Sequence, residues 1–178
     1  MAYYSTNNKN FKWILTVIDF FSKKVFAVAL KDKSAETTRD GLEHICQTSN
    51  TYPKIIQSDN GGEFIGEFVK DWATENKVRL VRTLSYSPNS NGLIENFNNI
   101  LRQMIREGFV RNNSFNWLDN LDDYINNRNE SRHSTTKYTP NQIWKEGINE
   151  LDAVTKKEQK EIEKVDNILL DDNDKLIS

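Results

Sequence analysis

Cysteine, proline and long apolar runs are all scarce in this chain of 178 residues. It has one cysteine, Cys46, and three prolines. A single cysteine cannot form an internal disulfide bond, so we expect Cys46 to be a small buried core residue in a protein of a reducing, intracellular compartment. No apolar run approaches the roughly 20 residues that span a bilayer. These absences argue against a disulfide-rich secreted protein and predict no membrane segment.

The net charge of −2 is distributed unevenly along the sequence. Residues 150–178 contain nine acidic residues and five lysines, which leaves a net charge of +2 on residues 1–149. A mildly basic body permits DNA binding, although it is weak for a protein that makes several phosphate contacts. The change in composition predicts a folded domain over residues 1–147, followed by an acidic helix or tail over residues 148–178.

Two runs rich in aromatic and β-branched residues predict an antiparallel pair of strands. They are FKWILTVID at residues 11–19 and KVFAVAL at residues 24–30. Apolar residues at helical spacing follow in residues 34–50 and again in residues 63–76. Shorter strands are predicted just before Asp59 and over residues 78–83. Strands that alternate with helices after an initial hairpin indicate an α/β domain of three layers with a mixed sheet.

The segment between Asp59 and Glu95 contains the residues best suited to chemistry. Asp59 follows the apolar run KIIQS and precedes Asn-Gly-Gly, so we expect it where a strand ends and a turn begins. Glu95 is expected in the first turn of a long amphipathic helix. Two carboxylates held by rigid elements are suitable oxygen ligands for a divalent metal such as Mg²⁺. Both also have ordinary explanations, since aspartate is common in turns and glutamate at helix N-termini.

The helix that contains Glu95 carries a second polar pattern. Glu95, Asn99, Arg102 and Arg106 are spaced so that they share one face. Amide and guanidinium donors beside a carboxylate can bind phosphates, whereas a solvated helix surface is the alternative. The Ser- and Asn-rich loop that precedes the helix adds Asn91 and Gly92, where glycine allows the backbone to approach a ligand. The predicted DNA-binding residues are therefore Asn91, Gly92, Asn99, Arg102 and Arg106.

Four segments of this sequence resemble the catalytic core of retroviral-type integrases, above all those of retrotransposons and self-synthesising DNA transposons. They read FKWILTVIDFFSKKVFAVALKDKSAET, IIQSDNGGEF, VRTLSYSPNSNGLIENFNNILRQMIREGF and NRNESRHSTTKYTPNQIW. The order and spacing are those of the family, and the resemblance covers about residues 4–146. It implies a ribonuclease-H-like fold, DNA integration as the function, and DNA, both element ends and target, as the partner.

The resemblance also implies the chemistry and the setting. Integrases use two Mg²⁺ or Mn²⁺ ions, ~3.5–4 Å apart, to activate water and then a DNA 3′-hydroxyl for strand transfer without a covalent enzyme intermediate. Of the three carboxylates that the family needs, Asp59 matches the second aspartate and Glu95 the glutamate. A homo-oligomer is expected, and a nuclear location if the host is eukaryotic.

The first aspartate of the family has no match in this sequence. It belongs to the first strand of the integrase sheet, and residues 1–10 contain neither aspartate nor glutamate. Asp19 is a possible substitute, although we expect it to cap the turn after its strand. We therefore expect an integrase core that lacks its first strand and has an incomplete metal site. Two alternatives are a catalytically dead, domesticated module that binds DNA or oligomerises, and a ribonuclease-H-like nuclease.

Overall fold

The computed structural model describes residues 5–82, 92–133 and 137–146. The chain divides into two units, with the boundary between Asn129 and Glu130. The predicted acidic tail over residues 148–178 lies outside the described ranges, as does its predicted boundary with the folded domain. In chain order the elements are a 3-10 helix over Thr6–Asn8, β1 (Trp13–Ile18), β2 (Val25–Leu30), α1 (Ala35–Ser49), β3 (Ile55–Ser58), α2 (Gly62–Ile65), α3 (Glu67–Glu75), β4 (Arg79–Arg82), α4 (Gly92–Asn112), α5 (Leu121–Glu130) and α6 (Pro140–Glu146).

Strands β1 and β2 form the predicted antiparallel hairpin. Trp13 is paired with Leu30 at one end and Ile18 with Val25 at the other. Because successive side chains point to opposite faces of a strand, the hairpin divides its apolar residues between two cores. Leu15 and Leu30 belong to the core that contains α1 and α3. The opposite face contributes Ile14, Ile18, Val25, Ala27 and Ala29 to the core that contains α4 and α5. The hairpin thus lies between two helical layers.

Helix α1 begins with an N-cap and packs closely on the hairpin. The hydroxyl of Ser34 accepts a hydrogen bond from the N–H of Thr37 at 3.1 Å, which stabilises the first turn. A Cβ atom at Gly41 would lie 2.9 Å from Leu15 Cδ2 and 3.1 Å from Leu30 Cδ2. Glycine therefore allows α1 to approach the sheet. Cys46, on the same helix, is only 4% exposed, which confirms that it is a core residue.

The single helix predicted over residues 63–76 is wrong in one respect, since the structure has α2 and α3 with a break at Gly66. Gly66 has extended backbone angles of φ −63° and ψ 155° and serves as the N-cap of α3. A Cβ atom there would lie 2.3 Å from the Cβ of Ala35. The start of α1 therefore packs against the break. Periodicity could not show this, because Ala35 belongs to a different helix that is distant in sequence.

Strands β3 and β4 form a separate parallel pair, with Ile55 opposite Arg79 and Ser58 opposite Arg82. Ile56 and Leu80 pack against the same core as Leu15 and Leu30. The strands of the described ranges therefore form two sheets of two strands each, one antiparallel and one parallel. The predicted mixed sheet is therefore not continuous among the described residues, although both pairs lie on the helical layer of α1 and α3.

A buried asparagine fixes the chain that leads into β1. Asn8 is fully buried; its side-chain amide donates to the carbonyl of Phe115 at 2.9 Å, and its carbonyl oxygen accepts from the N–H groups of Trp117 and Leu118.

In the second unit, α6 buries Ile143. Among the helices of the described ranges, none combines the length and apolar character needed to cross a bilayer.

Candidate active site

Asp59 lies where the sequence predicts it, directly after β3. Its Oδ1 atom accepts a hydrogen bond from the N–H of Gly61 at 3.0 Å, so the side chain closes the turn that ends the strand. The residue is exposed. Asp59 therefore presents a carboxylate to solvent from a backbone that is fixed on one side by the β3–β4 pair and on the other by the turn.

A second carboxylate lies beside Asp59 and was not anticipated from the sequence. The Cβ position of Gly61 is 3.0 Å from Asp59 Oδ1 and 2.7 Å from Glu63 Oε2, so the two carboxylates flank the same point. Glu63 is in the first turn of α2. The spacing Asp-Asn-Gly-Gly-Glu could have indicated that Glu63 lies near Asp59. When a helix begins directly after a tight turn, the side chains of its first turn lie close to that turn. A Cβ atom at position 61 would require the ends of the two side chains to shift.

The positive charge nearest to this pair comes from the segment between β2 and α1. Lys33 Nζ lies 3.5 Å from Glu63 Oε1, in an ion pair whose lysine side chain is 53% exposed and whose glutamate side chain is 20% exposed. The same ammonium lies 4.6 Å from the centre of the Trp13 ring. Trp13 is the first residue of β1, so Lys33 connects the hairpin to the turn that holds Asp59.

Arg82 lies at the same edge of the β3–β4 sheet as Asp59. It is paired with Ser58, the residue that precedes Asp59, and its side chain is exposed. Because the two strands are parallel, their carboxyl ends lie at the same edge of the sheet. Such an edge is the usual site for ligands. Arg82 is thus an additional cation at the site, and no pattern in the sequence singled it out.

Glu95 lies in the first turn of α4 and is exposed. The helix is anchored by its buried stripe of Phe97, Leu101 and Ile105, and the Thr16 hydroxyl of β1 donates to Asn98 Oδ1 at 2.8 Å. These contacts fix α4 on the face of the hairpin opposite to α1. The position of Glu95 at the beginning of a helix is therefore confirmed, while its role as a metal ligand stays a prediction.

The predicted DNA-binding residues of α4 lie on its exposed surface. Asn99, Arg102 and Arg106 are all exposed, and Arg102 Nη1 donates to Asn99 Oδ1 at 2.7 Å. Gly92 is the first residue of the helix and has open space where a side chain would project. Asn91 lies outside the described residues. The helix thus presents an amide and two guanidinium groups to solvent on the side that carries Glu95.

Asp19 is engaged elsewhere. Its Oδ2 atom accepts hydrogen bonds from both the N–H and the hydroxyl of Ser22, each at 2.7 Å. The carboxylate thus caps the β1–β2 turn, as the sequence predicts. Within the described ranges, no three or more His, Cys, Asp or Glu side chains are grouped so that they could hold a metal ion. Glu63 lies beside Asp59, and the roles of Asp59 and Glu95 as metal ligands stay predictions.

The cysteine does not offer a second kind of chemistry. Burial raises the pKa of the Cys46 thiol to about 11, and the charge of Glu43 acts in the same direction. A thiol with this pKa has almost no thiolate at neutral pH, and the thiolate is the nucleophilic form. Cys46 is therefore a packing residue and not a catalytic nucleophile.

Comparison with protein families gives a match to the integrase core domain over residues 1–88. Curated relatives include the Pro-Pol polyprotein of simian foamy virus type 1, which is 28% identical over 130 residues, covering 73% of this chain and 11% of the polyprotein. A putative uncharacterized transposon-derived protein of Caenorhabditis elegans is 26% identical over 134 residues, covering 74% of this chain and 45% of that protein. The chain therefore spans less than half the length of these relatives.

Two solved structures share the fold. One chain of the simian T-cell lymphotropic virus intasome in complex with PP2A regulatory subunit B56 gamma aligns with a TM-score of 0.69 and 23% identity, over 74% of this chain and 47% of that chain. The catalytic core domain of BIV integrase aligns with a TM-score of 0.62 and 18% identity, over 75% and 86%. The predicted fold class, the ribonuclease-H-like fold of integrase catalytic cores, is confirmed.

Proposed function

From the premise that this chain carries an integrase core domain over residues 1–88 and is related to retroviral-type integrases, we propose that it binds DNA and carries out metal-dependent DNA strand transfer. The observation that carries this proposal is the geometry at Asp59. An exposed carboxylate at the carboxyl end of a parallel strand, with Glu63 beside it and cations nearby, is suited to phosphoryl transfer.

The donor atoms fit the metal that the family uses. Mg²⁺ prefers oxygen ligands and is bound in proteins by one or two carboxylates, with water and substrate phosphate in the remaining positions. We propose Asp59 and Glu95 as the protein ligands of Mg²⁺ or Mn²⁺. When bound, the ions polarise the phosphate and lower the pKa of the attacking hydroxyl or water.

The remaining chemistry is done by positioning. The N–H of Gly61 holds the Asp59 carboxylate, and the packing of α4 together with the Thr16–Asn98 hydrogen bond holds the helix that carries Glu95. Asn99, Arg102 and Arg106 donate to phosphates of the DNA, and Asn91 and Gly92 contribute the adjoining backbone. Fixed donors at a phosphate accelerate the reaction because they require no reorganisation when charge develops.

The first aspartate of the integrase pattern is not assigned to any residue of this sequence. A site with two of three carboxylates holds its ions more weakly, so we expect the activity of this chain by itself to be low. We also propose that the chain acts as a homo-oligomer on element ends and target DNA, in the nucleus where the host is eukaryotic.

Calorimetric titration with Mg²⁺ and Mn²⁺, combined with strand transfer of a labelled DNA duplex, tests the proposal. Asp59→Asn and Glu95→Gln should each weaken metal binding and abolish any transfer, since the amide has lost the charge that binds the cation. Asp71→Asn, an exposed aspartate of α3, is the matched control and should change neither. Metal binding that persists unchanged in both site variants would overturn the assignment.

A second function is favoured by one observation. No group of three metal-ligating side chains occurs in the part of the chain that the structure describes. A DNA-binding or oligomerising module without catalysis agrees with this arrangement. It predicts that DNA affinity, measured in EDTA, equals that in Mg²⁺, and that Asp59→Asn leaves this affinity unchanged.

A further inference from the structure

The end of the hairpin near Asp59 carries a group of lysines and aromatic rings. We call it the open end and define it as Phe11, Lys12, Trp13, Lys31 and Lys33. Lys33 Nζ lies 4.6 Å from the Trp13 ring centre and Lys31 Nζ lies 5.7 Å from that of Phe11. Because Trp13 pairs with Leu30, these residues gather from both strands at one end of the sheet.

The open end adjoins the candidate active site through Lys33. Its ammonium contacts Glu63, and Glu63 lies with Asp59 around the Cβ position of Gly61. Trp13 is 38% exposed, so part of its ring faces solvent although it belongs to a strand. Lys33 therefore contacts the carboxylate pair directly, and the partly exposed ring of Trp13 lies next to Lys33.

We propose that Lys33 and Trp13 bind the DNA strand that lies at Asp59, with the lysine contacting a phosphate and the ring packing on a base or sugar. This inference rests on the proposed function. Charge complementarity supports DNA as the occupant, since the open end contains three lysines, with Asp32 as the one acidic residue between them in sequence at residues 31–33. Lysines that contact the backbone and aromatic side chains that stack on bases are how proteins bind single strands.

The ion pair with Glu63 is compatible with this role. Because the Lys33 side chain is 53% exposed, solvent screens its ion pair with Glu63, and a phosphate can replace Glu63 as the partner of Lys33. Glu63 then competes with DNA for the lysine. Removing its charge should strengthen DNA binding, whereas removing the lysine should weaken it. A purely structural role for the ion pair predicts the same direction for both changes.

The opposite end of the hairpin provides a matched control. Lys23 Nζ lies 4.5 Å from the ring centre of Phe20, which is 78% exposed. The pair is chemically similar to Lys33 and Trp13, and its aromatic ring is more exposed. The two ends are separated by about five residues along the strands, which corresponds to roughly 17 Å.

The test is fluorescence anisotropy of a labelled single-stranded oligonucleotide and of a duplex in EDTA, over a series of salt concentrations, with the folded state of each variant checked by circular dichroism. Lys33→Ala should weaken binding and lower the salt slope by about 0.7 to 0.9, the loss of one phosphate contact. Trp13→Ala should weaken binding about five-fold or more without changing the slope. Lys33→Arg should restore binding, and Glu63→Gln should tighten it.

The controls and outcomes separate the two proposals. Lys23→Ala and Phe20→Ala should leave binding within about two-fold of the unmodified chain. Equal losses at both ends, or no loss at either, overturn the inference while leaving DNA binding intact. Weaker binding by both Lys33→Ala and Glu63→Gln also overturns it. An unmodified chain that binds neither oligonucleotide contradicts the proposed function itself.

Discussion

The two ends of the β1–β2 hairpin use their polar side chains differently. At the turn end, defined as residues 18–25, Asp19 bonds to Ser22, which is 2% exposed, and the amide of Asn129 bonds to both backbone groups of Val25 at 2.9 Å. At the open end, the side chain of Lys33 is 53% exposed although it contacts Glu63. The turn end therefore stabilises the fold, while the open end keeps its charged groups available to a ligand.

The largest effect on stability is expected at Asn129. Asn129→Leu removes both bonds to Val25, and two buried backbone groups lose their partners at about 1–3 kcal/mol each. We expect the free energy of unfolding, measured by urea denaturation, to fall by about 2–5 kcal/mol. Asn126→Ala, an exposed residue of the same helix, should change it by less than about 0.5 kcal/mol. An equal loss in both variants would show that the two bonds to Val25 do not stabilise the fold.

A smaller loss is expected for the turn cap. Asp19→Ala removes the acceptor of two hydrogen bonds from Ser22 and should cost about 1–3 kcal/mol in the same measurement, because bonds to a charged acceptor are stronger than neutral ones. Asp19→Asn keeps an acceptor oxygen and should lose less. If Asp19→Ala were as stable as the unmodified chain, the turn end would not be more tightly fixed than the open end.

Acid titration tests Asp32, which lies between Lys31 and Lys33 of the open end. Hydrogen bonds from Ser34 lower the pKa of Asp32. A carboxyl group whose pKa is lower in the folded state stabilises the fold above its unfolded pKa of about 3.9, and this stabilisation is lost as pH falls through the folded pKa. Asp32→Asn should therefore have a lower melting temperature than the unmodified chain at pH 7 and converge with it in acid. A difference in melting temperature that stays constant from pH 7 into acid would contradict this role of Asp32.

The smallest effect on stability is expected for Lys33→Ala. The lysine of this ion pair is 53% exposed, and a solvent-screened ion pair contributes about 0–1 kcal/mol, so the free energy of unfolding in urea should change little although DNA binding weakens. This combination distinguishes the open end from the turn end, where substitutions change stability first. A loss on replacing Lys33 as large as that of Asp19→Ala would show that the two ends have the same role.

Local sequence patterns predicted most of the elements, although not the break between α2 and α3. Runs rich in β-branched and aromatic residues predicted the hairpin, and the Asp-Asn-Gly-Gly turn predicted that Asp59 ends a strand. Helical spacing predicted that Asn99, Arg102 and Arg106 share the exposed face of α4. These features depend on residues within a few positions of one another, where the geometry of a helix or strand decides which side chains lie together.

The tertiary structure decided which distant residues meet. Trp13, Lys33 and Glu63 belong to three segments whose proximity depends on how the hairpin and β3 pack against the same helices. Ala35 packs against the break at Gly66, and the Asn129 amide bonds to both backbone groups of Val25 although asparagine is usually a surface residue. The sequence by itself determined local conformation and the kind of chemistry, because both follow from residue type and short spacing. Packing determined the neighbours of Asp59, because contacts between distant segments depend on the whole fold.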